Sequence, residues 1–227
     1  VPQEPAQPRR RSRALDAVVE IVTTIVLAVV LYVVIQTFVV QTYRVEMQSM
    51  ETTLLPNQHL LIDKLTPRFD SYSRGDIVVF HPPSGQEGAS IANSCADGQY
   101  DDSDTPFIKR VIGVPGDTLD IHDGAVYING TKLNEPYINK DGDTTPLTDV
   151  SQWTVPDGCL FVMGDHRSAS RDSREFGMVK TSEVIGRAWL RFWPLNTLGI
   201  LQTPTYPELN GTSTNSNSDS NPSPNSN

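Results

Sequence analysis

The 227-residue sequence predicts a mainly β domain carried on a single N-terminal transmembrane helix. Two observations predict it. Ile21 to Val40 run for 20 positions without a charge, dominated by Val, Ile and Leu. From Tyr43 to Leu201 the sequence changes to short runs of β-forming residues broken by turn residues. The formal net charge of −9 sharpens the contrast: residues 1–40 carry a net +1 and the remainder −10. The globular part is therefore acidic and well solvated, and it offers nothing to neutralise phosphates, which excludes nucleic acid as a partner. Two cysteines are too few for a disulfide scaffold or a structural zinc site.

Residues 1–13 are rich in Pro, Gln and Arg, have no apolar period, and read as a disordered basic cytoplasmic leader. Residues 14–42 are the expected transmembrane anchor. Twenty residues of helix reach about 30 Å, the hydrocarbon thickness of a bilayer. A cleaved signal peptide would have a shorter apolar core and a small-residue cleavage site, which Gln41-Thr42-Tyr43-Arg44 does not offer. A buried core helix of such uniform apolarity is unusual. Arg9, Arg10, Arg11 and Arg13 set the orientation, leaving the N-terminus cytoplasmic and everything after the anchor outside.

Residues 43–207 form the expected extracytoplasmic β-rich domain. Strands are expected at His59–Asp63, Asp76–Phe80, Phe107–Ile112, Thr118–Ile121, Ala125–Ile128, Cys159–Met163 and Val184–Phe192. Asn129-Gly130 between Val126-Tyr127-Ile128 and Thr131-Lys132-Leu133 signals a two-residue hairpin. Pro82 to Pro106 and Asn139 to Gln152 read as polar surface loops, and no internal repeat is present. Residues 208–227 are Asn, Ser and Pro with hardly an apolar side chain, and read as a disordered tail. Near the domain's end, Trp189, Phe192 and Trp193 are either core or an aromatic surface resting on the bilayer. Trp189 is read as core and Trp193 is left open.

Hydrolytic chemistry needs a nucleophile and a group to deprotonate it. No Gly-x-Ser-x-Gly elbow is present, and His59, His81, His122 and His166 are scattered singly without metal-ligand spacing. They read as surface or loop histidines, and no metal or cofactor is expected. Three other stretches stand out: Ser49-Met50-Glu51-Thr52-Thr53-Leu54, Lys109-Arg110-Val111-Ile112-Gly113-Val114-Pro115-Gly116-Asp117, and Gly164-Asp165-His166-Arg167-Ser168-Ala169-Ser170-Arg171-Asp172-Ser173-Arg174. Lys109 follows Phe107 and Ile108. An ordinary lysine, pKa about 10.4, is neutral roughly once in 2,500 molecules at pH 7, a deficit of about 4.6 kcal/mol for any lysine that must act as a base. Apolar neighbours disfavour the cation and reduce that deficit. From this run alone, a lysine snorkelling from a strand end explains Lys109 equally well.

Together the three stretches resemble the bacterial type I signal peptidase family, and Gly75-Asp76-Ile77-Val78-Val79-Phe80 matches a further box in the family's order. The resemblance runs from the anchor to about Leu201. It implies a signal-peptidase-like β fold and a membrane serine endopeptidase that removes signal peptides from exported preproteins, so the implied partners are those signal peptides and the lipid bilayer. It implies Ser49 as nucleophile and Lys109 as general base. Ser170 is then the hydroxyl that positions the lysine amine, and Asp165, Asp172 and Arg174 are the polar scaffold of that loop. Tyr43, Val45, Met50, Leu54, Leu60, Val79, Phe107 and Ile108 align with the family's substrate-pocket lining, although most serve equally as plain core.

The sequence departs from the family pattern before the nucleophile. Met47 stands where many relatives have a serine that donates to the oxyanion, and Thr52 stands where they have proline. Two rivals share some of these features. Ser–Lys autoproteases of the LexA repressor class share the dyad but not the anchor. A catalytically impaired homologue acting as a secretion- or pilus-associated scaffold is the non-enzymatic alternative, against which Ser49 and Lys109 both stand. Cys95 and Cys159 are either bridged, as an oxidising exterior permits, or Cys159 is simply buried at the head of its apolar strand.

Overall fold

The computed structural model describes residues 13–65, 71–84, 95, 99–100, 105–141 and 143–211. All of the expected leader but Arg13 and most of the expected tail lie outside these residues, as does most of the Pro82–Pro106 loop.

Helix α1 spans Arg13–Val34 and continues as a π-helical turn over Ile35–Val39. The stretch Leu15–Val34 has a mean hydropathy of 2.6 and none of it is buried against the rest of the protein. A helix apolar on every side and covered by nothing is long and greasy enough to cross a bilayer. Its two threonines turn inward on the helix backbone, Thr23 to Val19 and Thr24 to Glu20, at 2.8 Å each, so neither hydroxyl presents an unmade hydrogen bond. The apolar run does not end as helix: strand β1 begins at Val40 and reaches Arg44, inside the stretch expected to be anchor. A run of β-branched residues suits helix and strand alike, and pairing with β2, His59–Asp63, decides for strand.

The remaining strands follow in order: β3 Ile77–Phe80, β4 Pro83–Ser84, β5 Gln99–Tyr100, β6 Phe107–Gly113 and β7 Thr118–His122. Then come β8 Ala125–Ile128, β9 Thr131–Lys132, β10 Gln152–Thr154 and β11 Cys159–Met163. A short helix α2, Ser173–Phe176, precedes β12 Val179–Lys180, β13 Val184–Trp193 and β14 Gly199–Ile200. The first sheet is antiparallel and ordered β1-β2-β13-β3-β6-β11-β12, with β14 on β13. The second is ordered β10-β7-β8-β9, and β4 pairs with β5.

Each expected strand is present within a residue or two: β2, β7 and β8 alternate and bury one face, whereas β3 and β11 are continuous apolar runs buried on both. The hairpin at Asn129-Gly130 forms as its residues dictate: both have positive φ, 51° and 79°, which a type I′ turn requires. Strand β10 falls at the end of a stretch read as loop. It forms because Trp153, only 2 % exposed, fills the space between the sheets and packs on Phe161 at 5.0 Å between ring centroids. That inter-sheet core also takes Ile112 from β6, Leu119 from β7 and Ile128 from β8. A second cluster, with Val45, Met50, Leu54, Leu60 and Val79, lies under the segment that carries Ser49.

Trp189 corrects the sequence reading: it is 37 % exposed and Trp193 is 50 % exposed. The cause is a register shift. Ala188 pairs with Ile62 and Leu190 with Leu61, so Trp189 is the extra residue of a bulge and is turned out of the alternation. Leu195, Leu198 and Ile200, in the segment that follows β13, are exposed as well.

Candidate active site

Ser49 sits in a tight turn directly after the first strand. The turn is fixed by Glu51 N–H donating to the Gln48 carbonyl at 3.0 Å and Leu54 N–H to the Met50 carbonyl at 2.8 Å. Met50 and Leu54 anchor it from below, each with no exposed surface. Ser49 itself is 3 % exposed and Lys109 fully buried. Lys109 Nζ lies 2.6 Å from Ser49 Oγ and donates to the Ile108 carbonyl at 3.2 Å. The structure therefore brings together two residues 60 positions apart in the chain.

Strand alternation explains how. Lys109 leaves β6 on the same side as Phe107, whose ring centroid is 5.2 Å from Nζ. β11 pairs with β6 only as far as Arg110. Beyond that point β11 gives way to the Gly164 loop. Burial pushes the Lys109 amine down to about 8. Asp172 and Asp165 pull it up and Arg174 pulls it down, but desolvation dominates. An amine with that value is neutral in roughly one molecule in ten at pH 7.

The loop after β11 holds Ser49 from the other side. His166 N–H donates to the Ser49 carbonyl at 3.0 Å. Gly164 makes the approach possible: a Cβ there would stand 2.5 Å from the Ser49 carbonyl oxygen and 2.2 Å from Ser170 Oγ. Asp172 accepts from Gly164 N–H at 3.0 Å and from Arg174 at 2.8 Å through both oxygens. Burial alone would raise the Asp172 carboxyl. Arg174 and the Gly164 and Ser170 hydrogens outweigh it and hold that carboxyl below the usual range. Asp165 is gripped by Arg110 through two bonds of 2.8 and 2.7 Å. The expected scaffold residues thus form two buried ion pairs, one on each side of Gly164. Ser170 is 6 % exposed. Among the described residues its hydroxyl makes no hydrogen bond of full geometry, to Lys109 included, although it lies near enough to Asp172 to help keep that carboxylate ionised.

A shallow cavity of about 30 Å³ opens beside the turn, walled by Val45, Met47, Val79 and Ile108 among others. Of the expected pocket residues, Val45, Val79 and Ile108 face it, with Tyr43 and Leu60. Met50 and Leu54 belong to the core beneath. Phe107 does not wall this cavity: its ring stands beside the Lys109 amine and packs on Phe80 and Phe176, each at 6.3 Å. The two-residue period of a strand puts Phe107 and Ile108 on opposite faces, and only Ile108 reaches the cavity.

Several residues were not singled out by the sequence. His166 is not a bystander: its ring lies 3.6 Å from the Glu51 carboxylate and 3.8 Å from that of Asp141. Arg167 pairs with Glu135, Arg110 lies over the ring of Tyr137, and Tyr137 bonds Tyr206. Glu135 and Tyr137 belong to no motif, and only the fold brings them here. Cys95 and Cys159 are bridged, with Cα atoms 5.7 Å apart, and Cys159 is also 1 % exposed.

A buried serine hydroxyl against a buried amine of lowered basicity, beside a small apolar cavity, contains the parts of a lysine-assisted serine hydrolase. Residues 18–193 match the family described as signal peptidase, peptidase S26. The chain is 39 % identical over 206 residues to signal peptidase I of Leptolyngbya laminosa, covering 88 % of this chain and 92 % of that one. It is 35 % identical over 177 residues to signal peptidase I of Bacillus caldolyticus, covering 74 % and 87 %. A crystal structure of a signal peptidase I from Enterococcus faecalis V583 matches with a TM-score of 0.38 and 33 % identity, covering 52 % of this chain and 97 % of that one. The chain belongs to the signal peptidase family, peptidase S26, whose members are serine proteases.

Proposed function

We propose that the protein is a membrane-anchored endopeptidase that cuts signal peptides from exported preproteins, with Ser49 as nucleophile and Lys109 as general base. The observation that carries this reading is the 2.6 Å contact between a fully buried amine and the serine hydroxyl. Neutral Lys109 takes the Ser49 proton as the hydroxyl attacks the scissile carbonyl. The resulting ammonium gives that proton to the leaving amine, and the same lysine then activates the water that hydrolyses the acyl-enzyme. The Ser49 N–H is the principal oxyanion donor, since the Met47 thioether has no hydrogen to give. Ser170, by the family resemblance, orients the amine, and its buried hydroxyl lies near Asp172.

Substrate enters as an extended chain beside the membrane, which suits a nucleophile 15 residues past the end of α1 at Val34. The arginines before α1 favour a cytoplasmic N-terminus and an outer face for the domain. The Cys95–Cys159 bridge accords with an oxidising exterior. The apolar surface of Trp189, Trp193, Leu195, Leu198 and Ile200 would rest in the bilayer interface. The test is cleavage of a purified preprotein by the full-length protein in lipid vesicles, with the product identified by mass. A folded protein that leaves the preprotein intact would favour the scaffold alternative.

A further inference from the structure

We infer that Tyr137, which no motif contains, is a positioning residue that keys together the three segments presenting Ser49, Lys109 and Gly164; the inference rests on the Ser49–Lys109 reading of the site. Those segments are the turn after β1, strand β6 and the loop after β11. They converge from distant parts of the chain, and hydrolysis depends on their relative placement to a fraction of an ångström.

Tyr137 lies between β9 and β10 and engages each segment through a different group. Its backbone carbonyl accepts from the Thr52 hydroxyl at 3.3 Å, three residues beyond the nucleophile. Its ring covers the guanidinium of Arg110, the residue after Lys109, at 4.0 Å. Its hydroxyl donates to Glu135 Oε1 at 3.0 Å. Glu135 in turn accepts from Arg167 Nη1 at 3.0 Å, and Arg167 Nε–H donates to the Gly164 carbonyl at 3.0 Å. The Tyr206 hydroxyl, from the C-terminal segment, lies 3.0 Å from that of Tyr137 and fixes its height. Burial, and then the charge of Glu135, drive the Tyr137 phenol far above its ordinary value, so it remains a neutral donor at every working pH.

The ring also has an electrostatic consequence. Arg110 is held flat against Asp165, whose carboxylate raises the basicity of Lys109 even with that pair in place. With the ring removed, Arg110 loses its backing and pairs less closely with Asp165. More of the Asp165 charge then reaches Lys109, which keeps its proton to higher pH. A tyrosine that merely stabilised the fold would leave that titration where it is.

The test uses full-length protein in detergent with a purified preprotein, measuring kcat and KM between pH 6 and 10. Tyr137→Leu keeps the backbone carbonyl and loses ring and hydroxyl. We expect kcat to fall by about tenfold or more with KM within about twofold, and the acid limb of kcat/KM to move up by about half a pH unit. Tyr137→Phe loses only the hydroxyl, and should lower kcat severalfold with the limb unmoved. Tyr127→Phe, whose ring stacks on His122 at 3.9 Å on the second sheet, should match wild type. Wild-type kcat and limb in folded Tyr137→Leu would overturn the inference, as would a loss of rate no greater than the loss of folded protein. Should the leucine variant fail to fold, wild-type kcat in folded Tyr137→Phe overturns it. Absence of cleavage by the wild type refutes the Ser49–Lys109 reading instead, so the two failures are distinct.

Discussion

Replacing Lys109 by methionine should remove the activity and, with it, the pH dependence that the lysine imposes on stability. The lysine is fully buried, and desolvation lowers its pKa from an ordinary 10.5 to about 8. A lysine depressed in the folded state binds its proton more tightly when unfolded. Keeping it charged inside the protein therefore costs stability at pH 7, and the cost disappears as pH rises from about 8 to 10.5. The shift corresponds to about 3 kcal/mol. Between pH 7 and 10.5, wild type should gain about that much unfolding free energy relative to Lys109→Met. Comparing the difference across pH cancels the hydrogen bonds to Ser49 and Ile108 that both states of the titration share. The assay is isothermal denaturant unfolding of both proteins in detergent at several pH values. A difference that stays flat over that range would mean that Lys109 keeps an ordinary pKa, and with it the general-base proposal would lose its physical footing.

Other consequences follow from the same geometry. The cavity beside the turn that carries Ser49 is small, about 30 Å³, and walled by Val45, Val79 and Ile108, so a library of signal peptides should show a requirement for Ala-sized residues one and three positions before the cut; tolerance of large side chains at both would refute the pocket assignment. Met47, 43 % exposed at the cavity edge, cannot donate to an oxyanion, and one such donor is worth about 3–4 kcal/mol; Met47→Ser should raise turnover by at least about tenfold, and an unchanged rate in an enzyme limited by chemistry would dispose of the missing-donor argument. The Cys95–Cys159 bridge spans 64 residues, so replacing both cysteines by serine should lower unfolding free energy by up to about 4 kcal/mol. Alkylation of denatured, unreduced wild type should label no thiol, and two labelled thiols would contradict the bridge.

Much of this fold is legible because it is built from strands with one buried face. Thr118–His122 and His59–Asp63 alternate visibly between buried and half-buried positions, and Asn129-Gly130 names its own turn. Where alternation is missing, the sequence says less. The run up to Val40 is equally apolar on both periods, so the switch from helix to β1 is invisible. The bulge that exposes Trp189 is a property of pairing with β2, not of β13 itself. At the site, Ser49, Lys109, Asp165, Asp172 and Arg174 lie in three motifs whose spacing can be read. Tyr137 and Glu135 cannot be found that way, because only the fold brings them to Arg110 and Arg167. Phe107 and Ile108 could have been separated in advance, since neighbours on a strand face opposite ways.

The central claim concerns Ser49 and Lys109 as one catalytic unit, and the most direct test is preprotein cleavage by four full-length proteins in lipid vesicles. These are the wild type, Ser49→Ala, Lys109→Ala and the double variant. Wild type should release the mature protein at a single position set by small residues. Each single variant should be folded and inactive, and the double variant should lose little more than either, as residues acting as a unit do. Substantial cleavage by folded Lys109→Ala would show that another group takes the serine proton and would contradict the account.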